Sequence, residues 1–365
     1  LLTFDFMKQF LLLIAFFPFV AASQGLFPYM DFNNFFKVFD DGVFTQIEHQ
    51  PSTDVFFGDE LVAYNNSQRD FKVYHNGQSR LLTNQNVSYK ASDHLLVWNI
   101  GPIINYFEDG QTKVITSFGG DYAVGDSIIV YQDTRYKTVN AIYQGKVIEL
   151  YQLTGDMYMP DMIGDNIVAF RDNGNLYKVF WRGQIYELGV YSGVQQLEFF
   201  AGTDMLAFND PNSRTFAVFE NGEFLDVEDL YVSKIKACRG FVVYEDVQGN
   251  LNYYGKGKQV ELASFFQFWD AKDDVLVWGE ANSTYTLVDG ERKMVCNYAA
   301  KDVVLKNDVM AFRNNLGGVS GYTDGKLKDI TNLTKTEFTI SGHAVCIQLS
   351  NRSVLVWYND QIYQD

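Results

Sequence analysis

Cysteine, histidine, proline and positive charge are all scarce in this chain of 365 residues. Its 3 cysteines, Cys238, Cys296 and Cys346, are widely separated, which gives neither a disulfide framework nor the paired spacing of a zinc site. An odd number leaves at least one thiol free. The 4 histidines, His49, His75, His94 and His343, fall in separate segments with no spacing that pairs them as ligands or as a base, so they read as turn or surface residues and no metal or cofactor is expected. Lys and Arg total 29 against 45 Asp and Glu, a formal charge of -16, which excludes a general nucleic-acid binder. G-x-S-x-G, H-E-x-x-H, phosphate-loop and D-x-D-x-D-G patterns are all missing, so no recognised catalytic or Ca²⁺ motif is present.

Long hydrophobic runs are missing too, except near the start. Met7-Lys8-Gln9 precedes the apolar stretch Phe10 to Val20 and then Ala21-Ala22-Ser23. A charged n-region, an h-region and small residues at the cleavage site make this a secretory signal, with cleavage after Ser23 or after Ala22. The stretch is shorter than the ~20 residues that span a bilayer. Residues 1–6 read as upstream read-through, residues 1–23 as the signal and residues 24–365 as the mature domain, with a secreted or periplasmic location and no later membrane span. Sequons at Asn65, Asn86, Asn282, Asn332 and Asn351 matter only in a eukaryotic secretory pathway.

What the chain has in quantity is aromatic side chains, 23 Tyr and 31 Phe, within 47% hydrophobic residues, enough for a sizeable core. Two series of landmarks recur in phase. One is an aromatic ending a short apolar run: Tyr64, Trp98, Tyr131, Phe170, Phe208, Tyr244, Trp278 and Phe312, with Ile347 as a weaker ninth. The other is a residue-Gly pair: Asp41-Gly42, Asn76-Gly77, Asp109-Gly110, Gln144-Gly145, Arg182-Gly183, Asn221-Gly222, Lys256-Gly257, Asp289-Gly290 and Asp324-Gly325, with Asn359-Asp360 in the tenth place. Neighbours in each series lie 33 to 39 residues apart. A residue-Gly pair between apolar runs predicts a type I′ hairpin, because both central positions need positive φ.

Each unit therefore reads as four short strands, with a further turn at Gly58-Asp59, Ser92-Asp93, Gly125-Asp126 or Gly164-Asp165 between the first two. The turn aspartates Asp59, Asp93, Asp126, Asp165 and Asp273 are expected to bond their own backbone. A unit of this size cannot bury both faces alone and must stack on its neighbours, so the chain is all-β: a single β-propeller of four-stranded antiparallel blades. Eight units look complete between Asp54 and Thr331. Residues 25–48 and 337–365 supply parts of others, and the expectation is eight or nine blades. Phe36 to Phe39 and Val354 to Tyr358 both read as third strands. The order of strand, Asp turn, apolar-aromatic strand, tyrosine-rich strand and x-Gly turn resembles the WD40-like repeats of TolB-type β-propellers, most closely over Asp121 to Tyr151 and Met159 to Leu188. The resemblance lies in the repeat pattern, without the Ser-Pro-Asp-Gly turn of that family, and it implies a fold more than an activity.

The connections after Gly145 and Gly183 are longer than the rest. They place Tyr151, Asp156, Tyr158 and Tyr191 on the same rim as Tyr136, Arg171, Asp172 and Arg214. Tyr136, Tyr158, Arg171, Asp172 and Tyr191 are the candidate ligand-binding residues, because loops on a rigid scaffold carry binding groups. Asp161, Glu198 and Asp270 are candidates for the channel, beside Lys90 and Lys234. Trp98, Trp278 and Trp357 replace Tyr or Phe of other units and are expected between blades, while Trp181 and Trp269 break that register. Three functions are compatible with these residues: an exported non-catalytic protein that presents its rim to a protein or glycan; a carbohydrate hydrolase or lyase using channel carboxylates; and a spacer or assembly module of a larger exported protein.

Overall fold

The computed structural model describes residues 25–154, 158–160, 162–191 and 197–365. The expected signal over residues 1–23, together with Asp156 and Asp161, lies outside them. Among the described residues, blade 1 holds three strands, β1 (Leu26–Met30), β2 (Phe36–Asp40) and β3 (Val43–Glu48). Nine four-stranded antiparallel blades follow, running from β4 (Thr53–Phe57) in blade 2 to β39 (Gln361–Gln364) in blade 10. The ring thus has ten blades, not eight or nine. The two terminal segments do not share a blade, because each contains its own third strand, β2 and β38 (Val354–Tyr358), and each pairs only with its own neighbours.

The hairpin code is obeyed throughout. The first residue of every third-to-fourth-strand turn, from Asp41 at φ 46° to Asn359 at 49°, is in the left-handed region, and Asp360 at 61° shows that Asx can stand where the other nine have Gly. Third strands alternate between the two neighbouring blades. In β2, Val38 packs on Val62, Tyr64 and Tyr74 of blade 2, whereas Phe39 packs on Cys346, Val356 and Tyr358 of blade 10. The core is therefore a series of inter-blade layers. Trp98, Trp278 and Trp357 lie in these layers at 2% exposure or less, as the register predicts. Trp181, off register, is also buried and donates its indole N–H to Asp204 (2.9 Å); Trp269, half-buried, donates to Glu245 (2.8 Å).

Blade 10 closes the ring directly against blade 1. Tyr358 donates to Asp41 (2.9 Å), Arg352 to Asn34 (2.6 Å), and Ser341 to the Leu26 carbonyl, while Asp365 receives both Tyr29 (2.6 Å) and Lys37 (2.8 Å). All three cysteines are buried free thiols.

Candidate functional site

Antiparallel order divides the connections between two faces. First-to-second and third-to-fourth turns form one, the turn face. Second-to-third loops and crossovers to the next blade form the other, the loop face. The rim candidates all belong to the loop face, but they are not equally available. Tyr136 (68% exposed), Tyr158 (74%) and Arg171 are exposed, with the Arg171 guanidinium 6.0 Å from the Tyr177 ring centre. Tyr191 is buried, edge-on to Tyr177 at 5.6 Å, and its hydroxyl donates to Asp210 (3.1 Å). Asp172 is occupied by its own loop. It accepts the amides of Gly174 (2.8 Å) and Leu176 (3.1 Å) and pairs with Lys178 (2.8 Å). Burial acts to raise its pKa, but Lys178 and the two amides outweigh burial and hold the carboxyl below its ordinary value.

Asp172 is one of a series. Asp31, Asn66, Asp133, Asp210, Asp246 and Asn314 open the equivalent loops and accept amides two to four residues on, for example Gln248 (2.9 Å) and Asn250 (2.8 Å) on Asp246. Beyond these caps the loop face carries exposed apolar side chains that the longer connections do not mark: Phe32, Phe265 (87% exposed), Leu316 and Leu333, as well as Phe118. Arg135 lies 5.2 Å from the Phe118 ring and 5.4 Å from that of Tyr136, so two blades' loops share one cation between two aromatic faces. Other exposed large apolar side chains lie in further loops of this face or along strands, mainly the fourth. Among the described residues the turns of the opposite face carry none.

The turn face is charged, and its first turns interlock. Glu60 N–H donates to the Asp93 carbonyl (3.1 Å), Ser127 to Asp165 (3.1 Å), Asn166 to Thr203 (3.0 Å), Arg239 to Asp273 (2.8 Å) and Asp274 to Asn307 (3.0 Å), each across a blade boundary. Gly58, Gly125, Gly164 and Gly202 permit this approach. A β-carbon at Gly58 would stand 2.6 Å from the Asp93 Cα, and one at Gly202 would strike the Cys238 backbone. The turn carboxylates follow the same rule and correct the expectation that they bond their own backbone. Asp126 accepts the Asp93 amide (3.2 Å), Asp165 the Thr203 hydroxyl (2.8 Å), and Asp273 the Asn307 amide (2.9 Å). The nearest partner is the next turn because the inner strands converge there.

Two side chains cross the mouth of the channel. Lys306 Nζ lies 2.7 Å from both Asp59 and Asp93, and Asn307 Nδ2 donates to Asp59 (2.7 Å), linking blade 9 to blades 2 and 3. Burial opposes charge on Lys306, yet Asp59 and Asp93 raise its pKa. Burial also acts to raise Asp59, but Lys306 and Asn307 hold it low, whereas Asp93 is raised by burial and by Asp59 beside it. Asp126, half-buried between Asp165 and Asp93, is pushed up to about 6 by desolvation and by those two carboxylates. His94 and His343, far apart in sequence, both line an opening of about 450 Å³ at this mouth. The hydrogen bond that His94 donates to Glu60 lifts His94 to about 9, and the one with Asp308 raises His343.

The channel candidates separate. Asp270 lines a cavity of about 530 Å³ on the inner wall, where it is ion-paired with Lys236 and accepts the Ala271 amide (2.7 Å). Glu198 is exposed and is not among that cavity's lining residues. Lys90 donates to the Tyr122 carbonyl (2.6 Å), and Lys234 pairs with Glu245 (2.9 Å). Among the described residues no helix is long and apolar enough to cross a membrane.

Fold and faces together define a single-ring β-propeller repeat protein, an architecture that serves in general as a binding or interaction scaffold. A family model described as the 10-bladed beta propeller domain matches residues 20–363, and the chain belongs to that family. No curated protein matches. Among solved structures, the computationally designed Ika8 protein is similar at 17% identity over 74% of this chain and 96% of its own, with a TM-score of 0.33. Hsv2 of Kluyveromyces lactis is similar at 11% over 68% and 97% (TM-score 0.33). Virginiamycin B lyase of Staphylococcus aureus is similar at 13% over 61% and 89% (TM-score 0.31).

Proposed function

We propose that the mature chain is an exported, non-catalytic binding protein whose loop face engages a macromolecular partner, a protein or a glycan. The observation that carries this reading is the one-sided placement of exposed apolar residues: Tyr136, Tyr158, Phe265, Leu316 and Leu333 stand on loops and crossovers of one face. Apolar surface held by a rigid scaffold gains free energy when a partner covers it. Leu316 and Leu333 favour a protein surface over a sugar, since aliphatic side chains offer a pyranose no stacking plane. Export rests on the charged, apolar and small-residue order of Lys8 to Ser23. The ion pair of Asp270 with Lys236 counts against the carbohydrate-cleaving alternative, because the carboxylate is already neutralised by a neighbour.

The test is binding of residues 24–365 to cell-envelope proteins and a polysaccharide array, with every hit assayed for cleavage products. The Phe265→Ser/Leu316→Ser/Tyr136→Ser variant runs alongside. Retention that the triple variant loses by at least tenfold supports the loop face. Equal retention by both proteins, or released sugars, overturns the proposal.

A further inference from the structure

At most blade boundaries the last residue of a third strand faces an aromatic from the next blade's third strand. Asp40 accepts the Tyr74 hydroxyl (2.7 Å) and Glu220 that of Tyr254 (3.3 Å). The rings of His75, Tyr143, Trp181 and Tyr358 lie 5.4 to 6.4 Å from Phe107, Phe180, Phe219 and Phe39. Between blades 7 and 8 neither member of the pair is aromatic. The position is Gly255, opposite Leu287, so one side of the boundary has no side chain to fill it. A cleft of about 740 Å³ opens there toward the turn face, within the usual size of small-ligand sites.

The walls and lip of this cleft differ in chemistry. Tyr253 and Phe241 stack at 5.4 Å to form one wall, and Leu276 and Leu287 line the other. The Tyr253 hydroxyl has no hydrogen-bond partner among the described residues and sits where a β-carbon at 255 would collide with it, so glycine both opens the space and makes room for the phenol. At the lip, Lys256 and Lys258 have no ion-pair partner among the described residues. Of the three acids lining the cleft, Asp274 is engaged by Arg239 (2.7 Å) and Glu220 by Tyr254, while Asp289, on the blade 8 turn, has no ion-pair partner among the described residues.

We propose that the cleft between blades 7 and 8 binds a small aromatic anion, its ring lying between the Tyr253–Phe241 stack and the two leucines and its acid group held by Lys256 and Lys258. Flat apolar walls suit an aromatic ring, and two unpaired ammonium groups at one end supply an anion site. This site is separate from the loop face and does not depend on any partner there.

The test uses 1-anilinonaphthalene-8-sulfonate as the aromatic anion and N-phenyl-1-naphthylamine as its uncharged counterpart, titrated into the mature protein by fluorescence. Saturable binding of the sulfonate is expected. Lys256→Ala/Lys258→Ala should weaken it at least tenfold and leave the uncharged dye unaffected. Gly255→Leu should abolish both while thermal unfolding remains cooperative. Unchanged sulfonate binding in the lysine double variant, or undiminished binding in folded Gly255→Leu, overturns the proposal. Both lysines are exposed, so the double variant decides even where Gly255→Leu does not fold.

Discussion

On the turn face, neighbouring blades are joined to one another; on the loop face, each loop is joined chiefly to itself. Among the described residues, five of the seven boundaries between the first turns of blades 2 to 9 carry a backbone hydrogen bond from one blade to the next, with glycines where a β-carbon would collide. The loops at Asp31, Asn66, Asp172, Asp246 and Asn314 instead close on one Asx side chain within four residues. The difference teaches where this molecule can change. A loop whose bonds are local can be replaced without disturbing its neighbours, whereas a turn whose bonds lie in the next blade cannot. Exposed apolar loop residues accordingly collect on the replaceable face, and charge collects on the interlocked one.

The scale for this contrast comes from the layers between blades. Trp278→Ala, which empties a fully buried position, should cost about 3–5 kcal/mol in urea unfolding. A loss under about 1 kcal/mol would mean that the layers are not what holds the ring. Next, Lys306→Met should cost about 3 kcal/mol at neutral pH, because Asp59 and Asp93 lose the cation that spans the channel mouth. The cost should shrink in acid as the two carboxyls take up protons. A pH-independent loss would show that Lys306 acts through packing alone.

Asp126→Asn reverses the sign. The folded carboxyl titrates at about 6, above its ordinary 3.8, so the native state binds this proton more tightly than the unfolded chain does. Its stabilising contribution is full below about 4 and is lost as pH rises through 6. The asparagine variant should therefore be more stable than the parent by about 1–2 kcal/mol at pH 7.5. The gap should close between pH 6 and 4, and a gap that widens in acid would refute the burial of this charge. Smallest of all, Phe265→Ser on the loop face should change stability by no more than about 0.5 kcal/mol while weakening partner retention. A large stability loss there would erase the distinction between the faces.

Much of this architecture is legible in the residue order because its causes are local. A residue-Gly pair between apolar runs demands positive φ, and all the third-to-fourth-strand turns supply it. Trp98, Trp278 and Trp357 fall in the core because the two-residue strand period carries them there. The candidate rim is legible in part. Tyr136, Tyr158 and Arg171 are presented, but Asp172 closes its own loop and Tyr191 turns inward to Asp210, since loop length says nothing of where a side chain points. Phe265 and Leu316 were hidden for the same reason, lying in connections of ordinary length.

The chain by itself determined the repeat, its hairpins and its buried aromatics, all of which depend on contacts within one unit or on a period that one unit displays. Only the tertiary structure decided the number of blades, because ring closure depends on how β2 and β38 sit relative to each other across the whole chain. It alone decided that Lys306 reaches Asp59 and Asp93, that His94 and His343 share one opening, and that Gly255 faces Leu287 across an unfilled boundary. Those contacts join residues that no local pattern ties together, and their energies come from burial and charge in a space that exists only when the ring is closed.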